Sequence, residues 1–277
     1  MIKKIFVVFA LLVLIVGCKP KEVAEERPSG AYPYELRVSV DNGTVKLSWK
    51  KHGDALIGGY NIYISETSLA AQYPDGHYPV SVPPFNRTPF PGDTDPTDGI
   101  EHFQAEGLTN GVMYYVSVVV VNPDRSLSRS TEEITVVPAP TGEIELAARY
   151  QGEQDGYAFY ADRYVRADAV ENDVYYYYHE DKHYLASPTR LDGFLRKSLL
   201  LKLPFRGDYE EVRSRIVENE YQPSEERVEI KTGDWVLILT ADSHYVLVRV
   251  LELTGQGQSS AVRLFFAVSG IENRIFF

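Results

Sequence analysis

From residue 34 onward, apolar and polar residues alternate with a period of two, in short runs separated by turn residues. YELRVSV (34–40), TVKLSWK (44–50) and GGYNIYIS (58–65) are the first three runs. Alternation of this kind places apolar side chains on one face of a strand. Asp41-Asn42-Gly43 between the first two runs is a strong hairpin turn signal. FQAEGL (103–108), VMYYVSVVVVN (112–122) and TEEITVVP (131–138) follow. Seven or so short strands without helices are expected here, as in a β-sandwich.

A composition shift at PAPTGEIE, near residue 140, marks a boundary. Beyond it the runs are again strand-like: VYYYYHEDKHYL (174–185), GDWVLILTADSHYVLVRVLEL (233–253) and SSAVRLFFAVSG (259–270). One stretch alone, DYEEVRSRIVENEYQP (208–223), has helical spacing, with Tyr209, Val212, Ile216 and Val217 on one side. The expected fold class is therefore mainly β, with little helix. A first domain covers 34–138 and a second β-rich domain covers 144–277. The 20 tyrosines against 2 Met and 2 Trp in 277 residues agree with this. Tyrosine suits strands that are half apolar and half wet.

The N-terminus follows a different rule. Lys3 and Lys4 precede an unbroken apolar run from Ile5 to Val16, and Ile15-Val16-Gly17-Cys18 ends it. A basic start and about a dozen apolar residues make a secretory leader, too short to span a bilayer. The terminal tetrapeptide resembles the lipobox of bacterial lipoproteins. That resemblance implies cleavage after residue 17, acylation of Cys18 and anchoring of the chain to a membrane. Lys19 after the acylated position goes, by the same analogy, with the outer membrane where the bacterium has one. Residues 18–33, charged and rich in proline, read as a flexible tether. Cys18 is the single cysteine, so internal disulfides and cysteine nucleophiles are excluded. A formal charge of −11 argues against nucleic acid as a partner and against a basic surface for anionic lipid.

The first domain also resembles a known family. TVKLSWK, with Trp49 as core tryptophan, resembles the second strand of fibronectin type III domains. GYNIYIS, with Tyr60, resembles the third. Leu108-Thr109-Asn110-Gly111-Val112-Met113-Tyr114 is similar to the family's tyrosine corner, built on Leu108, Gly111 and Tyr114. The resemblance implies an immunoglobulin-like sandwich that serves as a spacer or recognition scaffold. It departs from the family in a long connection, residues 66–102, with prolines at 74, 79, 83, 84, 89, 91 and 96. Such a loop on a rigid scaffold is the expected contact region, and Phe85 and Phe90 are its candidate ligand contacts. Asp93, Asp95 and Asp98 within it hint at calcium, although their spacing is not that of an EF-hand and an acidic turn needs no metal. The stretch 156–268 is similar to a small β-domain of bacterial secreted lipoproteins, to which no activity attaches.

Two further groups of residues carry potential chemistry. His179-Glu180-Asp181-Lys182-His183 spells H-E-x-x-H, which on a helix would set two zinc ligands and a general base on one face. Four tyrosines precede it, Pro188 follows it, and no third ligand stands at the usual distance. The stretch therefore reads as two strands and their turn. Alternation puts Tyr175, Tyr177 and His179 on one face and Tyr176 and Tyr178 on the other. Tyr176 and Tyr178 are candidate ligand contacts for carbohydrate or peptide. Asp242-Ser243-His244 reads as a hairpin turn, because triad members converge from separate segments. The sequence thus points to a lipid-anchored cell-envelope protein that is not an enzyme. Its role would be binding, adhesion or spacing, for an unknown protein or carbohydrate, without metal or cofactor. A zinc-dependent hydrolase on HEDKH and a carbohydrate-binding lipoprotein are the alternatives.

Overall fold

The computed structural model describes residues 31–53, 56–93, 99–149, 152, 154–188, 196–219 and 221–277. Cys18 and most of the tether, together with Asp95 and Asp98, lie outside the described residues. The chain is mainly β, with several antiparallel sheets and two short helices.

The first half contains β1 (Tyr32–Asp41), β2 (Thr44–His52), β3 (Gly59–Ser65), α1 (Leu69–Gln72), β4 (Ile100–Glu106), β5 (Tyr114–Val121) and β6 (Ile134–Val136). Among the described residues six strands form, and a short helix, not expected from the sequence, stands within the long connection. The strands make two three-stranded sheets, ordered β1-β2-β4 and β3-β5-β6. Their alternating apolar residues share one core: Val45, Leu47 and Trp49 from β2, Tyr60 and Ile62 from β3, Val116, Val118 and Val120 from β5. Trp49 is fully buried, and its ring meets Tyr60 edge to face at 5.1 Å. Aromatic pairs of this kind add roughly 0.5–1.5 kcal/mol beyond burial. The Tyr114 hydroxyl accepts the Thr109 backbone N–H at 3.2 Å, closing the Leu108–Tyr114 turn over the core.

The second half begins with β7 (Thr141–Ala147) and continues through β8 (Gly156–Ala158), β9 (Arg163–Val165), β10 (Val174–His179), β11 (Lys182–Ala186) and β12 (Leu199–Lys202). After α2 (Tyr209–Glu218) come β13 (Arg227–Ile230), β14 (Trp235–Leu239), β15 (Tyr245–Thr254) and β16 (Ala261–Val268). Two five-stranded sheets result, β13-β11-β10-β8-β9 and β12-β14-β15-β16-β7. Their facing sides enclose a core that includes Leu146, Tyr176, Leu185, Val236, Val248 and Phe266. The sheets are laced at both margins. Leu200 bridges to Glu225 on one side, and the Arg149 N–H reaches the Tyr176 carbonyl at 2.9 Å on the other. Helix α2 lies on the outer face of the second sheet, where Val212 and Ile216 pack against Trp235, Leu237 and Leu247. Asp208 caps the helix by accepting the Glu211 N–H at 2.9 Å.

The halves touch through their turns. Asn110 and Asn42 are joined by an amide hydrogen bond of 2.8 Å, and Asn42 donates to Asp162 of the second half at 3.1 Å.

Candidate functional site

The H-E-x-x-H stretch is a hairpin. His179 closes β10, Lys182 opens β11, and Glu180 and Asp181 form a two-residue turn with φ of 49° and 58°. Both residues are left-handed, the backbone that a type I′ hairpin requires and that Asn-Gly usually supplies. With neither residue present, the turn carries strain of order 1 kcal/mol or more per residue. Tyr178 helps hold it by donating its hydroxyl to Asp181 at 2.9 Å.

The register decides what the histidines do. His179 pairs with Lys182 and Tyr178 pairs with His183, so the two imidazoles leave opposite faces of the sheet. His179 stays at the surface, 3.4 Å from Glu180. His183 turns inward, where its Nδ1 lies 2.6 Å from the Tyr176 hydroxyl and its ring meets the edge of Tyr178. Burial lowers the His183 pKa below 6.5 by disfavouring the imidazolium. A single ion cannot sit between two groups on opposite sides of a sheet. Among the described residues, no three His, Cys, Asp or Glu side chains gather as a metal site.

The tyrosines divide as alternation requires, but the ligand-facing assignment is reversed. Tyr176 is fully buried in the core between the sheets, and Tyr178 is half-buried with its hydroxyl engaged. The inner face of β10 is covered by the opposing sheet, so Tyr176 is not available at the surface. The outer face carries a ladder instead. Tyr175 stacks on Tyr177 at 5.7 Å, and Tyr177 stacks on Tyr184 at 5.0 Å. Arg149 lies over the Tyr175 ring and Arg227 over the Tyr184 ring, at 5.6 and 5.5 Å. Arg227 also donates to the Tyr177 hydroxyl at 3.1 Å. The ring faces are spent on one another and on arginine, so stacking on a sugar ring has little free π-surface to use.

The long connection 66–102 folds back onto the first half. Tyr78, Tyr73 and Val82 pack on Tyr63 and Val119, covering the outer face of the β3-β5-β6 sheet. The Tyr78 hydroxyl and the Ser117 hydroxyl are 3.0 Å apart. Glu133 ties down α1, accepting the Leu69 and Ala70 N–H groups at 2.8 and 3.0 Å. The Pro-rich part runs beside β3, the edge strand of its sheet. Tyr60 and Phe90 exchange two backbone hydrogen bonds, 2.7 and 2.8 Å. At the next outward position, the Asn86 side chain accepts the Ile62 N–H at 2.7 Å and Phe85 N–H donates to the Ile62 carbonyl. Proline lacks an N–H, and an amide side chain supplies the missing strand chemistry.

Phe90, expected at a ligand surface, is instead part of the first core, at 6.2 Å from Trp49 and 5.2 Å from Phe103. Its backbone pairing with Tyr60 swings the ring inward. Phe85 is exposed. Asp93 accepts the His102 N–H at 2.9 Å, and its own N–H donates to Glu101 at 2.9 Å, so it closes a turn within the described residues.

Asp242-Ser243-His244 is a tight hairpin, with the Thr240 N–H donating to the His244 carbonyl at 2.9 Å. His244 is buried, stacked on Tyr160 at 4.1 Å. Asp242 points instead to Arg196, which bridges it to the buried Asp173 at 2.6 Å on each side. Burial holds the Asp173 carboxyl above the ordinary range in spite of Arg196, whereas the Arg196 hydrogen bond holds Asp242 below it. A groove of about 520 Å³ between α2 and residues 273–276 is lined by aliphatic, amide and aromatic groups, with Arg274 its single charge. Compared with protein families and with curated proteins, the chain matches none.

Proposed function

We propose that this chain is a lipid-anchored cell-envelope protein with a non-catalytic binding role. Cys18 carries the lipid, residues 18–33 form the tether, and the first half is an immunoglobulin-like sandwich of the fibronectin type III kind. The Tyr114–Thr109 hydrogen bond beneath the Leu108–Gly111 turn, and Trp49 at the centre of the core, support that assignment. The second half displays the binding surface.

One observation carries the non-catalytic reading. The register of β10 and β11 sends His179 and His183 to opposite faces, which separates the groups a zinc hydrolase would bring together. The buried Asp173 carboxylate is likewise engaged in a structural ion pair with Arg196, which also holds Asp242 at the surface.

Metabolic labelling with radioactive palmitate in the native host tests the anchor. The parent chain takes up label and fractionates with membranes, and Cys18→Ala loses both. Label retained by the variant would overturn the proposal.

A further inference from the structure

The acidic chain carries a local excess of positive charge that its composition does not announce. Lys182 of β11 pairs with Glu229 of β13 at 3.1 Å, and Lys231 approaches the same carboxylate at 3.8 Å. Lys202 of β12 donates to the Glu229 carbonyl at 3.3 Å and pairs with Asp234 at 2.6 Å. Arg206 reaches Asp234 at 2.9 Å. Arg227 stands two residues before Glu229 on the same face of β13. Four cations thus gather around two carboxylates, with Arg227 further along β13, and Glu180 at the hairpin tip is a third carboxylate near the Lys182 end.

The layering of these charges matters more than their number. Asp234 is 5% exposed, while Lys182, Arg206 and Lys231 are 52%, 64% and 69% exposed. Lys182 donates a hydrogen bond to Glu229, and with Lys231 and Lys202 it holds that carboxyl below the usual range. Burial by itself would raise Asp234, but Lys202, the Lys231 N–H and Arg206 keep it low and charged. Asp234 lies beneath and fixes the stems of Lys202 and Arg206, and Glu229 sits part-exposed between Lys182 and Lys231, whose heads extend further into solvent. An approaching ligand meets positive charge first, laid along an edge strand. From Arg227 to Lys231 the row runs roughly 13 Å at about 3.3 Å per residue.

We infer that this margin of the second half, formed by Lys182, Lys202, Arg206, Arg227 and Lys231, binds an acidic polysaccharide. The inference rests on the binding role proposed above and names its ligand class. A linear array of cations suits a linear polyanion. The Tyr177 hydroxyl accepts from Arg227, whose guanidinium lies over the Tyr184 ring, and it can donate to a hydroxylated chain along its edge, which needs no free ring face. Single-stranded nucleic acid would ask for free aromatic faces for its bases, and those of the ladder are occupied, while the formal charge of −11 works against a duplex. A membrane surface would ask for apolar side chains inserted beside the cations. The exposed large apolar residues, including Leu56, Phe85, Val170 and Val217, lie outside β11, β12 and β13.

Calorimetric titration of the full chain, in nonionic detergent, with sodium polygalacturonate tests this. The parent binds, neutral dextran does not, and binding weakens as salt rises. The combined variant Lys182→Gln, Arg206→Gln, Lys231→Gln keeps its circular-dichroism melting curve and loses about tenfold or more in affinity. Lys46→Gln, which changes an exposed cation of the first half, binds as the parent does. Absence of polygalacturonate binding by the parent, or unchanged affinity of the combined variant, would overturn the inference. So would a parent that ignores polygalacturonate but binds phosphatidylglycerol bicelles through these three residues. The palmitate experiment bears on the anchor and this titration on the margin, so either can fail alone.

Discussion

The Tyr176 hydroxyl and the His183 Nδ1 meet at 2.6 Å across the β10–β11 hairpin. The contact holds His183 inward, in a site where burial depresses its pKa below 6.5. A depressed folded pKa means that the unfolded chain takes up the proton first. The contribution of His183 is therefore complete above about pH 6.5 and is lost as pH falls through the lower folded pKa. Urea midpoints measured at pH 7.5 and pH 5 are expected to drop in the parent by more than in His183→Asn, which has no titrating ring. An equal drop in both would exclude His183 as a source of acid sensitivity.

Arg196 and Asp173 give a second pH-dependent expectation, with the opposite sign. Asp173 has a side chain only 3% exposed and a carboxyl already raised by burial. Arg196→Met would leave it buried without its cation, at a cost of about 3 kcal/mol. Loss of the arginine raises the folded Asp173 pKa further above the unfolded one. A group raised in this way is least costly in acid, where it is neutral, and most costly as pH rises through the folded value. Chemical denaturation is expected to show a deficit that narrows from pH 7 towards pH 4; a deficit that widened would contradict the assignment.

Asn86 is the third. Its side chain accepts from Ile62 and donates to the carbonyls of Tyr60 and Thr88, each within 2.8 Å. Asn86→Ala leaves the Ile62 N–H without its acceptor and the Tyr60 carbonyl with Phe90 alone, which costs on the order of 2 kcal/mol. Asn86→Asp restores the acceptor but not the donor and is expected to fall between the two. Equilibrium unfolding would rank the three proteins, and an alanine variant as stable as the parent would show that solvent replaces these bonds.

The β character, the hairpin at Glu180–Asp181 and the helix from Tyr209 were legible in the sequence because each follows from local pattern: alternation, aromatic strand propensity and 3.6-residue spacing. Even so, the hairpin turn lacks the Asn-Gly that normally marks one, and it was readable only through its flanks. Alternation separates two faces without saying which is covered, and the face of Tyr176 is the one turned into the core. Phe90 was misplaced for another reason: a Pro-rich loop gives no sign that its backbone will pair with Tyr60 and turn a ring into the core. The cationic margin was hidden by distance along the chain. Lys182, Lys202, Arg206, Arg227 and Lys231 come from three strands and their connections, and the net charge of −11 averages them away.

The connection that runs beside β3 also bears on how copies of this protein behave when crowded together. An open strand edge is a template on which a neighbouring chain can extend the sheet. At Tyr60 and Ile62 the donors and acceptors of that edge are already taken by Phe90, Asn86 and Phe85 from the same chain. Prolines at 83, 84, 89 and 91 keep the covering segment from offering a regular edge of its own. At these residues a neighbouring copy finds no free strand edge on which to extend the sheet.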